Sequence, residues 1–207
     1  MSEGKENNQL IPLPHNDICV IDEKYLSDEN SIFYFKTIGK FLNYKFIFED
    51  INHKLLYKCD YNGITGSIAL NDPKTDRALL KMKNKIHLIK PNEIVISSFK
   101  NDKEISTVTC SYKSKITFSN SIYRITFFNK ATEKEELIEV ECNGTYSNCA
   151  IYYGKQKENG IKICTFESSK IFTGVDFKIE ILPRIDSLFI NCVIDHIYHL
   201  IQGKKAA

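Results

Sequence analysis

The chain has no tryptophan, two methionines, five prolines and nine glycines in 207 residues, and its only arginines are Arg77, Arg124 and Arg184. Each shortage excludes something. The glycines, Gly63 and Gly66 included, form neither a G-x-G-x-x-G turn nor a Walker loop, so no nucleotide-binding fingerprint is present. Arginines for bidentate base contacts are nearly absent, and the formal net charge of +2 gives no global attraction to nucleic acid or membrane. Any electrostatic function must therefore be local. The seven cysteines, an odd number at long spacings, include no Cys-x-x-Cys pair, so neither a disulfide framework nor a zinc site is legible. The N-terminal MSEGKENNQL lacks the apolar core of a secretory signal. Ser2 stands where N-myristoylation needs glycine, and GKKAA is no prenylation box. A cytoplasmic or nuclear protein with reduced thiols is expected, peripheral at a membrane if it meets one.

What is present is a chain 43% apolar and 26% charged, ordinary for a globular domain. Lys, Ile and Asn make up a third of it, a bias like that of an AT-rich genome, which lowers the weight of any single lysine. Residues 1–17 are polar, carry Pro12 and Pro14, and read as a flexible arm. Residues 18–203 read as one domain and 204–207 as a tail. Within the domain, short runs of Ile, Phe, Tyr, Val and Thr alternate with Asn, Asp, Gly and Lys clusters, the pattern of strands joined by turns.

Four units have the form strand, polar turn, strand. They run from Lys45 to Lys58, Ser67 to Lys83, Tyr123 to Val140 and Cys149 to Cys164, with Asp and Asn placed to bond the turn backbone. No proline interrupts the stretch from Asn92 to Leu182. Serial antiparallel hairpins favour a barrel or sandwich over an α/β fold. The pattern changes only at Ile185 to Gln202, where Ile185, Leu188, Phe189, Cys192, Val193, Ile197, Leu200 and Ile201 recur at helical spacing. Pro183 lies ahead of this helix and Gly203 reads as its stop. Ile190, Ile194 and Tyr198 widen its apolar arc beyond the ~100° stripe of a surface helix. It needs to be surrounded. A bilayer is disfavoured by Asp186, Asn191, Asp195, His196 and His199, since a central Asp costs ~2.5–3.5 kcal/mol on insertion. A closed sheet suits both the hairpins and the helix.

The order of motifs resembles the LURP-one-related family, part of the tubby C-terminal-like group that includes the phospholipid scramblases. The residues carrying the resemblance are Phe46-Ile47-Phe48-Glu49-Asp50 followed by Leu55-Leu56-Tyr57-Lys58-Cys59-Asp60-Tyr61, then Leu70-Asn71-Asp72 leading into Leu79-Leu80-Lys81-Met82-Lys83-Asn84-Lys85. The family's Pro-Gly-Val-Asp before its last helix is matched by position at Pro183-Arg184-Ile185-Asp186 and by letters at Gly174-Val175-Asp176. Position is the better guide, because an apolar helix follows Asp186 directly. The resemblance spans residues ~20 to 202 and implies a mainly β fold: a closed antiparallel barrel of about 12 strands around a central C-terminal hydrophobic helix. The tryptophan that many plant members carry after the Lys strand is missing at Lys90-Pro91-Asn92-Glu93-Ile94. No calcium-binding or cysteine-rich palmitoylated segment matches that of scramblases, and tubby's phosphoinositide site does not carry over residue by residue.

The sharpest local feature is Lys81-Met82-Lys83-Asn84-Lys85-Ile86-His87-Leu88. Alternation in a strand puts Lys81, Lys83, Lys85 and His87 on one face and Leu80, Met82, Ile86 and Leu88 on the other. Three ammonium groups at about 7 Å intervals suit a phosphorylated head group. The plainer reading is a solvated strand face that keeps the protein soluble and blocks edge pairing. Lys113, Lys115, Lys204 and Lys205 join the ladder only if the fold brings them close. Glu133, Glu135, Glu136, Glu139 and Glu141 read as a solvated acidic hairpin. His196 and His199, beside Asp195, have a spacing that places two ligands on one helical face, yet no H-E-x-x-H accompanies them, and in an internal helix they read as hydrogen-bonded core residues.

No catalytic constellation, cofactor or metal site is read, so a non-enzymatic, monomeric binding module is expected; the family resemblance, together with the Lys81 ladder, implies anionic phospholipid (phosphoinositide) head groups at a membrane surface as its ligand. A protein-interaction scaffold is the alternative. Scramblase-like lipid transport would require the helix to leave the barrel.

Overall fold

A computed structural model describes residues 13–38, 45–62, 65–117, 119–169 and 176–205. Twelve strands follow one another: β1 (Ser31–Ile38), β2 (Lys45–Asp50), β3 (Leu55–Asn62), β4 (Ser67–Asn71), β5 (Ala78–Lys85), β6 (Asn92–Lys100), β7 (Lys103–Ile116), β8 (Asn120–Asn129), β9 (Lys134–Asn143), β10 (Asn148–Tyr153), β11 (Ile161–Ser169) and β12 (Asp176–Ile181). Each pairs antiparallel with the next, and β1 pairs with both β2 and β12, so the sheet closes on itself. Closure leaves no edge strand among the described residues. The four sequence hairpins are β2–β3, β4–β5, β8–β9 and β10–β11. The sequence reading did not single out the fifth, β6–β7.

Strand formation follows from alternation. In β8 the side chains of Ser121, Tyr123, Ile125, Phe127 and Asn129 are buried, while Arg124 and Phe128 between them are exposed. With few glycines available, the turns put Asn, Asp and other side chains in the left-handed region: His53, Asp76, Asn101 and Asp102 all have φ between 52° and 62°. Acidic side chains then stabilise the bends. Asp50 Oδ1 accepts from the N–H groups of Asn52 (2.8 Å) and Lys54 (2.9 Å), and Asp72 Oδ1 from those of Lys74 (2.8 Å) and Thr75 (2.9 Å).

The one α-helix among the described residues, α1 (Ser187–Lys205), fills the barrel. Eleven consecutive residues, Leu188 to Tyr198, are buried, which at 100° per residue covers the whole circumference. Aromatic contacts reach it from around the wall. Phe35 of β1 and Phe177 of β12 meet Tyr198, Tyr112 of β7 meets His196, and Phe127 of β8 meets Phe189. Two details differ from the sequence reading. The helix starts two residues later than Ile185, because Asp186 caps it. It also runs through Gly203 to Lys205, so that glycine is not the stop. Of the expected N-terminal arm, residues 1–12 lie outside the described residues, as do Gly174 and Val175 of the motif matched by letters. From the remainder of the arm, Pro14 is buried.

The end of the barrel where α1 begins, here the base, is sealed by residues 18–22. Ile18, Val20 and Ile21 are in the core, and Ile18 bridges Ile185. Asp186 joins this segment to the helix. Its Oδ1 accepts from the N–H of Phe189 (3.0 Å), an N-cap bond, and its Oδ2 from those of Val20 (3.2 Å), Ile21 (2.6 Å) and Asp22 (3.3 Å). Burial holds the carboxyl's pKa above the usual range, against the four N–H donors that pull it down. Asp186→Ala would strand several buried donors at once. The expected loss is about 3–5 kcal/mol, read as a lower urea midpoint with an unchanged m value.

Candidate functional site

β5 alternates as its sequence demands. Leu80 and Met82 are buried, whereas Lys81, Lys83 and Lys85 stand exposed on the outer wall. The cross-strand neighbours of Lys81 and Lys83 are small or neutral, Ala69 and Ser67 on β4 and Ser97 and Val95 on β6, whereas Lys85 faces Glu93. Lys81 Nζ lies 4.9 Å from the centroid of the Phe99 ring. The three lysines therefore form a stripe on a convex wall, climbing toward the end where α1 finishes, here the rim.

The strand ends at Lys85, which corrects the longer ladder. His87 is half-buried beyond the strand, where its backbone N–H donates to Asn92 Oδ1 (2.9 Å) and its Nε2 lies 3.4 Å from Glu93. It therefore lies off the strand but next to Glu93, the cross-strand neighbour of Lys85. Ile86 and Leu88, expected inside, are outside: Ile86 is 79% exposed, and Leu88 and Ile89 are fully exposed. Pro91 is the signal that reports this break, because it restricts the residue before it and cannot donate to a ladder. Glu93 also pairs with Lys90 (2.7 Å). The Lys90 ammonium, with His87 behind it, holds the Glu93 carboxyl below the usual range against the opposing effect of burial.

The fold brings Lys113 and Lys115 to the same rim. Asn92, at the start of β6, faces Tyr112, so the last four residues of β7 run past the β5–β6 loop. Lys113 and Lys115 there are exposed. The final turn of α1, with Lys204 and Lys205, also ends at this rim.

Inside the barrel, Asn191, Asp195 and His199 follow one another at four-residue spacing along α1, with His196 beside them. Asn191 and Asp195 are fully buried, and both polar atoms of each lack a hydrogen-bond partner. His199 Nε2 lies 3.7 Å from Asp195 Oδ1. The histidines are core residues, as the sequence suggested, but the expected hydrogen bonding is missing at Nε2 of each. Aromatic rings hold them instead: Tyr112 edges His196 at 4.8 Å and Tyr61 stacks on His199 at 4.4 Å. Desolvation pushes Asp195 up to about 8, His196 down to about 3 and His199 down to about 4. Among the described residues no three His, Cys, Asp or Glu side chains are grouped to hold a metal ion.

The remaining candidates are structural. All seven cysteines are buried and free, and burial pushes Cys19 up to about 11 and Cys110 up to about 12, far from a nucleophile's range. The acidic hairpin is not wholly solvated. Glu139 is buried, pairs with Arg124 (2.7 Å) and accepts from the Gln156 N–H (3.1 Å). The sequence missed this pair because Arg124 and Glu139 become neighbours only through the β8–β9 register.

A model of LURP-one-related proteins matches residues 32–194, from β1 into α1. The chain belongs to the LURP-one-related family. Its barrel is similar to the X-ray structure of a protein from Arabidopsis thaliana, with a TM-score of 0.56 at 14% identity, covering 88% of this chain and 98% of that one. No curated protein matches the chain. Among the described residues of this family member, no helix is long and apolar enough to cross a membrane.

The interior groups give the family member a pH optimum of stability. Unfolded Asp195 ionises near 3.8 while the folded carboxyl stays neutral up to about 8. Stability is therefore lost as pH rises through that window, at about 1.4 kcal/mol per unit. Unfolded histidines protonate below about 6.5 while His196 and His199 resist, so stability is lost there as pH falls. Of these three groups, the two histidines outweigh Asp195 below about 6.5, and Asp195 alone acts above it. The urea midpoint should peak near pH 6.5 and stability should drop by about 2 kcal/mol by pH 8. Asp195→Asn should flatten that alkaline limb.

Proposed function

We propose that this LURP-one-related barrel is a non-enzymatic module that reversibly binds anionic phospholipid head groups, phosphoinositides in particular, at a membrane surface. The observation carrying this reading is the outward stripe of Lys81, Lys83 and Lys85, in which Lys81 and Lys83 are bracketed by Ala69, Ser67, Ser97 and Val95 rather than by carboxylates. Only Lys85 faces an acid, Glu93, which Lys90 and His87 already engage. Small neutral flanks leave room for a phosphate between ammonium groups. Lysine suits that task as a mobile point charge that needs no planar partner. Lys113 and Lys115 extend the positive field along the rim and would favour the orientation that presents β5 to the bilayer.

Each lysine near an anionic surface contributes ~1 kcal/mol, so the three together are worth about a hundredfold in partitioning. Sedimentation with phosphatidylcholine vesicles carrying phosphatidylserine or phosphatidylinositol bisphosphate should retain the protein at low salt. Retention should fade as ionic strength nears 1 M, where the Debye length is ~3 Å. Changing Lys81, Lys83 and Lys85 together to Ala should weaken binding about a hundredfold. No retention at low salt, or equal retention of the triple variant, rejects the reading. Capture of one stoichiometric protein partner without lipid binding would favour an interaction scaffold instead.

A further inference from the structure

We propose that the β5–β6 loop, residues 86–91, is an insertion tip: Ile86, Leu88 and Ile89 enter the interfacial layer of an anionic bilayer while Lys85 and Lys90 remain among its head groups. This rests on the lipid-binding reading above and adds an apolar anchor to it. Single exposed apolar side chains are ordinary. Here three of four consecutive residues are exposed together, at the end of a hairpin, with Leu88 and Ile89 fully in solvent. Ile38, Tyr61 and Ile116 are exposed at the same rim. At the base the exposed apolar residues Ile51, Ile105 and Phe128 are separated from one another on different hairpins rather than consecutive in one loop.

The loop's own contacts favour a bilayer. His87 and Lys90, between and beyond the apolar residues, are drawn back by Asn92 and Glu93, at 2.9 Å for the His87 N–H and 2.7 Å for the Lys90 ammonium. The backbone is thereby pinned with its apolar side chains outward, which lowers the ordering cost of insertion. The same contacts neutralise Glu93, the carboxylate that would otherwise be repelled by anionic lipid. Lys85 before the tip and Lys90 after it, with Lys113 and Lys115 on the neighbouring β7, form a cationic collar around an apolar point. A second copy is a poor occupant. Two tips meeting would bring both collars together and repel, whereas an anionic surface attracts the collar as the tip enters.

The chain has no tryptophan, so Leu88→Trp places one indole at the tip and nowhere else. With phosphatidylcholine–phosphatidylserine vesicles its emission should shift to the blue and be quenched by brominated acyl chains. A variant with Ile86, Leu88 and Ile89 all changed to Ser should keep the wild-type urea midpoint, since these side chains support no core, and should bind vesicles at least tenfold more weakly. If Leu88→Trp protein sediments with vesicles while its indole stays water-like, or if the triple-serine variant binds like wild type, the tip is not inserted although the lipid reading stands. If wild-type protein does not sediment at low salt, the lipid reading fails first and the tip with it. A wild-type dimer, seen by sedimentation velocity without vesicles and lost in the triple-serine variant, would assign the tip to a second copy and overturn the proposal.

Discussion

The carboxylate of Asp186 collects four backbone N–H groups from two separate pieces of chain, one on α1 and three on the segment that seals the base. An apolar helix cannot enter a closed barrel unless its first turn, with its unsatisfied N–H groups, finds acceptors in a place water does not reach. Asp186 supplies the cap and ties the seal to it. Backbone bonds continue the junction, from Ile18 N–H to Arg184 O (2.9 Å) and from Asp186 N–H to Ile18 O (2.8 Å). Asn129 does the equivalent task for the wall: fully buried, it accepts from the Cys19 N–H (3.0 Å) and donates to Asp17 O (2.9 Å). The base is thus crossed by hydrogen bonds between the first strands' approach, the β8–β9 turn and the helix start.

The rim has the opposite character. Along α1 the polar residues Asn191, Asp195 and His199 lead from the barrel's middle toward that end, where Tyr61 stacks over His199. Buried donors and acceptors without partners cost stability that an apolar side chain would not, so the helix carries a polar stripe at some expense to the core around it. Outside the same end, apolar side chains and lysines meet solvent together. Division of labour between a sealed base and a chemically mixed rim follows from one topological fact: α1 enters from the base, so that end must be closed and the other is free to vary.

Much of this was legible before the fold. The four hairpins were visible because two-residue alternation and Asp or Asn turns repeat at short range, and the helix because its apolar arc is too wide for a surface element. Position selected Asp186 over Asp176 as the helix-opening residue, and the cap geometry agrees. β6–β7 was missed because β7 has few buried side chains along its fourteen residues, so its alternation is faint. Ile86 and Leu88 are exposed rather than inside because two-residue alternation holds only to Lys85, where the strand ends, and Pro91 marks where a strand cannot simply continue. Glu139 was misread as solvated because its burial depends on Arg124 across the β8–β9 pair and on Gln156, seventeen residues away.

By itself the sequence determined the all-antiparallel wall, the single internal helix and the outward direction of Lys81, Lys83 and Lys85, since all three depend on local periodicity and nearest hairpins. Tertiary structure alone decided what shares an end with what. Closure of β1 onto β12, the register of β7 beside the β5–β6 loop and the depth of α1 bring Lys113, Lys115 and the exposed Ile86, Leu88 and Ile89 to one rim. Such proximity is a property of strand register and barrel closure, which link residues far apart in the chain and leave no trace in the spacing of any one segment.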